Sequence, residues 1–437
     1  MFEKFGNNLK LVINFTKIYS LIYLIFILLL NIIFEAFSIS LLIPFLKSIT
    51  DVSFYNEVLT YKKFFDLEQI LVFFGITSRN QFITFLTLIF LTFFIARVLI
   101  NMLTIWSIGK FKFKLHDIIS KKMLKGYLNL PYLKLSQKNS AKSINNVTNE
   151  VDILSNNIVD IIQIISESFL TITLTSILLI FHTSVTIILL PAILLLSLIF
   201  MYFTNFILRD FGKKRQIFAK ETNKNIIEIF RAIKEIKILN KKEYFYVKFS
   251  KIYEKFLKIF WYKSIFPIIP RAIFEIFAIL ILAGSFIYSL NKNLILGEFL
   301  VSVSLFIAVG YRLLPSINKL IIYYQKLVFG KPAGDLVFKE LNEIKELEPT
   351  NNNKNAEINF EKNIKIKNLI FSYIDKKIID NLNFTINKNS FVGVFGESGS
   401  GKSTLIKIIT GLIPPNSGDI LIDNEKLSNK NINNWRK

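Results

Sequence analysis

Phe391-Val392-Gly393-Val394-Phe395-Gly396-Glu397-Ser398-Gly399-Ser400-Gly401-Lys402-Ser403-Thr404-Leu405 is the stretch on which the reading of this chain turns. It reads as a buried strand, a glycine loop and a helix, and the loop fits the G-x-x-x-x-G-K-[ST] phosphate-binding pattern. Gly396, Gly399 and Gly401 let the backbone curl with its N–H groups inward, where side chains would otherwise block a phosphate. Lys402 reaches the terminal phosphates, and the Ser403 hydroxyl is placed to ligate Mg²⁺. The helix that follows (Leu405, Ile406, Ile408 and Ile409 apolar) aims its positive dipole end at the same point. A plain glycine-rich turn before a helix would not require the lysine and hydroxyl at these offsets, so we read a nucleotide site.

What precedes the loop is unlike a soluble nucleotide-binding protein. Of 437 residues, 52% are hydrophobic and 44 are Phe, against a net charge of +22. There is no Cys, which excludes disulfides and thiolate metal sites. The two histidines, His116 and His182, are far apart and read as structural.

Lys4, Lys10 and Lys17 flank an apolar run too long for a signal peptide, with no small-residue cleavage site after it. A bilayer crossing needs about 20 apolar residues. Six stretches qualify, at about 19–46, 81–107, 158–181, 184–208, 264–290 and 298–324. Residues 108–157 hold nine Lys against three acids, and 209–263 hold sixteen Lys or Arg against six. Residues 47–80 are balanced, four against four. Lys/Arg excess marks the cytoplasmic side, which places both termini and both basic loops there. The +22 is therefore a topology signal. No basic domain with stacking aromatics stands apart from the spans, so nucleic acid is not expected as a partner.

The basic loops carry helical spacing (Ile226, Ile229, Phe230, Ile233, Ile236), so the spans should continue as helices beyond the bilayer. Turns are expected at Leu130-Pro131-Tyr132 and at Leu239-Asn240-Lys241-Lys242. Residues 54–74, apolar with interleaved charge, suit an interface-lying segment or a loop packed on the spans. Polar residues with Pro332, Pro349 and an Asn run make 331–356 a linker, and alternation from Ile364 onward marks strands of a soluble domain at 357–437.

A six-span segment followed by this loop resembles the type IV ABC exporters, in which one chain is half of a dimeric transporter. The motif continues through Gly411-Leu412-Ile413-Pro414-Pro415-Asn416-Ser417-Gly418-Asp419-Ile420, and Tyr373 sits where that family stacks an aromatic on adenine. The resemblance implies an α-helical membrane domain of six transmembrane helices followed by the N-terminal part of an α/β nucleotide-binding domain. It implies ATP and Mg²⁺ as cofactors, held by Tyr373, Gly396, Gly399, Ser400, Gly401, Lys402, Ser403 and Thr404, with Ser403 at the metal. It also implies a bacterial inner-membrane location, a homodimer, and coupling helices at roughly 129–140 and 232–245. The chain stops at Lys437, before the family's Q-loop, LSGGQ, Walker B and switch elements. A truncated record of a longer ATPase is therefore expected, with no catalytic residue in this stretch.

Within the family, Phe34–Phe45, Pro270–Glu275 and Tyr311–Ser316 are similar to the flippases of lipid-linked oligosaccharides in bacterial protein N-glycosylation. Charge inside a span is costly and by default functional. At about 1.5 Å per residue, Arg97, Arg271 and Arg312 fall roughly 24, 28 and 21 Å below the outer ends of their spans, in one inner band. Guanidinium forks suit phosphate oxygens, so the three are expected to grip a lipid pyrophosphate. Pairing of Arg271 with Glu275 at i,i+4 is the structural alternative; Glu35 and Glu167 are open as partners of Arg97 or Arg312 and stay unassigned. The expected activity is outward flipping of a lipid-linked oligosaccharide. Export of lipid, peptide or hydrophobic drug, and a non-transporting nucleotide-binding regulator, are the alternatives.

Overall fold

The computed structural model describes residues 18–60, 71–181, 183–291, 296–347, 358–373, 376–428 and 431–436. Some helix side chains, including all of 180–190 and 288–312, lie outside that description. The chain forms two compact units. One comprises residues 1–121 and 144–338, the other 122–143 and 339–437.

The first unit is helical. α1 (Ile18–Ser40) gives way to α2 (Leu42–Thr50) near Pro44, which lacks the N–H that a continuous helix would offer the Ser40 carbonyl four residues back. After α3 (Phe54–Thr60) comes α4 (Arg79–Asn129). With 51 residues, α4 is about 77 Å long, more than twice the bilayer's hydrocarbon thickness. The short α5 (Tyr132–Gln137) and α6 (Ser140–Asn145) lead through a π-helical turn, Asn146–Glu150, into α7 (Val151–Phe181). α8 (Thr183–Arg231, 49 residues) and α10 (Lys242–Ile265) are joined by the six-residue α9 (Ile233–Ile238). α11 (Ile268–Asn291) follows a break at Phe266-Pro267, four residues before Pro270, which has no N–H to bond the Phe266 carbonyl. α12 (Leu296–Leu347) has 52 residues.

These helices run through the six stretches expected to span. Four of them, over Ile18–Ser40, Arg79–Asn129, Ser140–Ile177 and Ile193–Arg231, are long and apolar enough to cross a membrane among the described residues. Their shared core joins Leu170 and Leu174 of α7, Ile193 of α8, Phe274 of α11, and Leu313, Ile317 and Ile321 of α12. The last three recur every four residues, one face of a helix. α7, α8 and α12 approach closely through glycine: a Cβ at Gly212 would strike the Phe329 carbonyl, and one at Gly330 the Asn157 side chain.

In the second unit, β1 (Asn363–Tyr373) pairs antiparallel with β2 (Lys376–Asn387) and with β3 (Ser417–Ile422), which pairs with β4 (Glu425–Lys426). α13 (Lys402–Ile409) packs Leu405 and Ile408 onto Ile364, Ile366, Leu369 and Phe371 of β1. α14 (Ile432–Trp435) closes the chain, its Trp435 indole donating to the Ile409 carbonyl at 2.9 Å.

Two expectations need correction. The stretch from 331, read as linker, is helix as far as Leu347. Ala333, Val337, Leu341 and Ile344 are buried at helical spacing, and that stripe outweighs the polarity around it and the cost of Pro332. Phe391–Phe395, read as a buried strand, is neither buried nor paired. A strand of such unbroken apolarity needs neighbours on both edges, and every ladder among the described residues is antiparallel and lies elsewhere. The middle of the segment expected to lie at the interface, 61–70, is outside the described residues.

Candidate nucleotide and transport sites

α13 begins at Lys402 directly behind Gly401, whose φ of 96° is left-handed. A Cβ on Gly401 would come within 2.8 Å of Ile378, so the position excludes larger residues by space as well as by conformation. The Lys402 ammonium donates to the carbonyls of Gly396 (2.7 Å) and Glu397 (2.6 Å), so it lies over the loop it belongs to. Ser403 is exposed in the first turn, while Thr404 is buried and anchors the helix. These residues fit a nucleotide's phosphates: a loop of three glycines, one cation lying over it and an exposed hydroxyl in the first turn of the helix. When bound, Mg²⁺ would meet that hydroxyl. Among the described residues no group of three His, Asp or Glu gathers to hold a metal by itself. Tyr373 ends β1 half-exposed, its ring edge-on to Phe371 at 4.8 Å between centroids, and so keeps a face open for a base.

α5 belongs to this same unit. Tyr132 and Leu133 pack against its apolar core, and the Lys407 ammonium of α13 sits 5.2 Å from the centre of the Tyr132 ring. The turn expected at 129–140 thus touches the helix that carries the phosphate loop. Nearby, Lys138 donates to Glu340 at 2.7 Å and Glu343 at 3.1 Å, and the Tyr127 hydroxyl to Glu340 at 3.1 Å. Sequence spacing gave no hint of this clamp, since Lys138 and Glu340 are 202 residues apart. The second turn forms as α9, closed by Asn240 at a left-handed φ of 51°. Ile238 and Leu239 stand exposed there.

The clamp sets a pH dependence. Burial raises the Glu340 carboxyl, but the hydrogen bonds and charge of Lys138 and the Tyr127 hydroxyl outweigh it and hold it below its ordinary 4.5. Burial lowers Lys138, and its bonds to Glu340 and Glu343 outweigh that, holding it above 10.5. The carboxylate's contribution is therefore complete above 4.5 and lost as pH falls through the lowered value. The ammonium's is complete below 10.5 and lost as pH rises through the raised one. Lys138→Met should destabilise the second unit by about 1–3 kcal/mol at neutral pH and flatten its acid-unfolding profile. An unchanged profile would mean that the clamp contributes nothing.

The three span arginines are not alike. Arg97, which has no acid within a helical turn, bonds Glu35 of α1 at 3.0 Å; Glu35 is buried. Arg271 bonds Glu275 at 2.8 Å, both exposed, which is the i,i+4 alternative. The Arg312 side chain lies outside the described residues. Each described guanidinium thus has a carboxylate of its own. Glu167 is bonded by Lys319 of α12 at 2.7 Å. Seven residues earlier on α7, Asp160 faces Lys326, seven residues later on α12, at 3.9 Å. A third pair, Glu150 with Arg215, is described below. Sequence reading missed the first two pairs, two acids of α7 faced by two lysines of α12, although the matching seven-residue steps were there to be found.

A family model described as ABC transporter transmembrane region matches residues 21–312, and one described as ABC transporter matches residues 379–437. A probable ABC transporter ATP-binding/permease protein of Haemophilus influenzae is 25% identical over 343 residues, 73% of this chain and 58% of that protein. The energy-coupling factor transporter ATP-binding protein EcfA of Onion yellows phytoplasma is 51% identical over 69 residues, 16% of this chain and 26% of its own. The chain thus spans less than two thirds of the length of these relatives. A solved bacterial Atm1-family ABC exporter with ATP bound shares the fold with a TM-score of 0.66 at 14% identity, over 96% of this chain and 70% of that one. On the transmembrane-region match, which takes in more than half of its residues, this chain belongs to the ABC transporter family.

Proposed function

We propose that the chain is one half of a homodimeric, ATP-driven exporter of the bacterial inner membrane, with both termini cytoplasmic. Its cargo would be an amphipathic lipid-linked oligosaccharide, moved outward. The packing of α5 on the core beneath the phosphate loop carries the reading, because it gives a nucleotide-driven movement a direct mechanical path into α4. The exposed apolar end of α9 supports the homodimer, since Ile238 and Leu239 suit the nucleotide domain of a second copy. ATP and Mg²⁺ would be held by Tyr373, Gly396, Gly399, Ser400, Gly401, Lys402, Ser403 and Thr404.

The choice of cargo rests on Arg97, Arg271 and Arg312. The ion pairs of the first two do not remove them from that role, because a pyrophosphate offers more charge than one carboxylate and competes for the same fork. They do change the test. Arg97→Gln alone strands buried Glu35, so it is compared with Arg97→Gln/Glu35→Gln; Arg271→Gln is likewise compared with Arg271→Gln/Glu275→Gln. Each double variant should remain folded and yet flip a pyrophosphate-linked lipid about tenfold or more slowly. Full transport by the double variants would assign these arginines to structure. Equal transport of an uncharged analogue by the unaltered protein would move the reading to an exporter of lipid, peptide or hydrophobic drug.

A further inference from the structure

A cavity of about 290 Å³ lies within the first unit, between α8, α10 and α12. Leu208 and Phe260 give it an apolar wall, and Lys263, Ser264, Gln325 and Lys326 a polar one. Gln325 is 3% exposed, and neither its amide nitrogen nor its amide oxygen has a hydrogen-bond partner. Lys263 forms no ion pair among the described residues; its ammonium rests 4.5 Å from the centre of the Phe329 ring. Lys326 stands 3.9 Å from Asp160, too far for a hydrogen bond, and Asp160 Oδ2 is itself unpartnered. Snorkelling explains lysines at the end of a span, but not a buried amide left with two unmet bonds.

We propose that this cavity binds a hydroxyl-bearing phosphate head group. Lys263 and Lys326 hold the phosphate, and the Gln325 amide meets a hydroxyl as donor and acceptor. The chemistry follows from what each alternative leaves unmet. An apolar guest leaves Gln325 unpaired, which is costly when buried. A bare anion satisfies the lysines but gives the Gln325 carbonyl no proton. A phosphodiester of a polyol or sugar satisfies all three. The volume is at the lower limit for ligand pockets, which suits a head group rather than a whole glycolipid. Lys263 directly precedes the span expected at 264–290 and Lys326 follows the one at 298–324, which sets the cavity at head-group depth. The inference rests on the topology proposed above and not on the transported cargo.

The test uses the intact protein in phosphatidylcholine nanodiscs doped with phosphatidylglycerol, or with phosphatidylethanol, a monoanionic phosphodiester that lacks hydroxyls. Native mass spectrometry after transfer to detergent reads the retained lipid. Phosphatidylglycerol should be retained in preference to both other lipids. Lys263→Gln and Lys326→Gln should each weaken retention about tenfold. Lys326→Arg should keep it, and Gln325→Leu should reduce phosphatidylglycerol to the level of phosphatidylethanol. Lys326→Gln/Asp160→Asn separates lost binding from a stranded acid: binding stays lost while thermal stability returns. Glycerol phosphate added in detergent distinguishes sources. If it displaces the lipid, the head group alone is recognised and a soluble ligand suffices; if it does not, the ligand is a membrane lipid. Equal retention of all three lipids together with no glycerol phosphate binding means the cavity holds water only and overturns the proposal, as does unchanged retention in both lysine variants. Because the readout needs neither ATP nor transport, Lys402→Ala should leave it unchanged, so failure here and failure of the exporter reading are distinguishable.

Discussion

Arg215→Met should destabilise the first unit by about 3–5 kcal/mol, a stability loss that we expect only a change of its partner Glu150 to match. Arg215 is 2% exposed and donates to the fully buried Glu150 from both terminal guanidinium nitrogens, Nη1 at 3.1 Å and Nη2 at 2.7 Å. Gln216 and Asn145 each add a further bond to the same carboxylate, both at 3.0 Å. Neither neighbour carries charge. Removing the guanidinium therefore leaves an anion with two neutral donors and no access to water, and desolvation dominates. Glu150→Leu alone should cost a similar amount, by stranding the cation beside the Phe329 ring, 5.9 Å from its centre. The double variant Arg215→Met/Glu150→Leu should recover most of either loss, because apolar residues of similar volume pack there without a desolvation penalty. Thermal unfolding in detergent reads all three. Additive losses in the double variant would show that packing of the long side chains, not charge, is what the pair contributes.

The helices of this protein were legible because their determinants are local. Three to four residues separate the apolar positions; the breaks at 41 and 266–267 were not foreseen, since 19–46 and 264–290 were each expected as one unbroken span. The glycine loop was legible for the same reason, since Gly401, Lys402 and Ser403 act within a single turn. Long-range pairings were not. Glu35 was open as a partner of either Arg97 or Arg312, and nothing in the spacing of residues 62 apart could choose between them. Lys138 meets Glu340, and Arg215 meets Glu150, by the same kind of long return. Composition misled twice. Pro332 and the polarity after it concealed the buried stripe of α12, and the apolarity of Phe391–Phe395 was taken for a strand although pairing depends on neighbours the stretch does not itself specify.

In a full-length version that also carries the signature and Walker B elements, Lys402→Ala should lower ATP turnover by about a hundredfold or more, the largest functional loss expected of any substitution here. The side chain is the only cation of the phosphate loop, and its ammonium already stands over that loop, between the carbonyls of Gly396 and Glu397. A terminal phosphate entering the cradle exchanges those two carbonyls for anionic oxygens, a stronger bond for the same nitrogen. Because charge accumulates on the transferred phosphoryl group in the transition state, the loss should fall more on turnover than on nucleotide affinity, which should weaken only about tenfold. Alanine also removes the bonds to Gly396 and Glu397, so loosening of the loop has to be separated from loss of charge. Gly401→Ala does this. It keeps the lysine but forces a left-handed residue to carry a Cβ against Ile378, and should weaken binding and turnover together. A Lys402→Ala variant with the same pattern as Gly401→Ala would mean that the lysine acts by shaping the loop. A variant that hydrolyses ATP at the wild-type rate would remove the nucleotide assignment on which the transport reading depends.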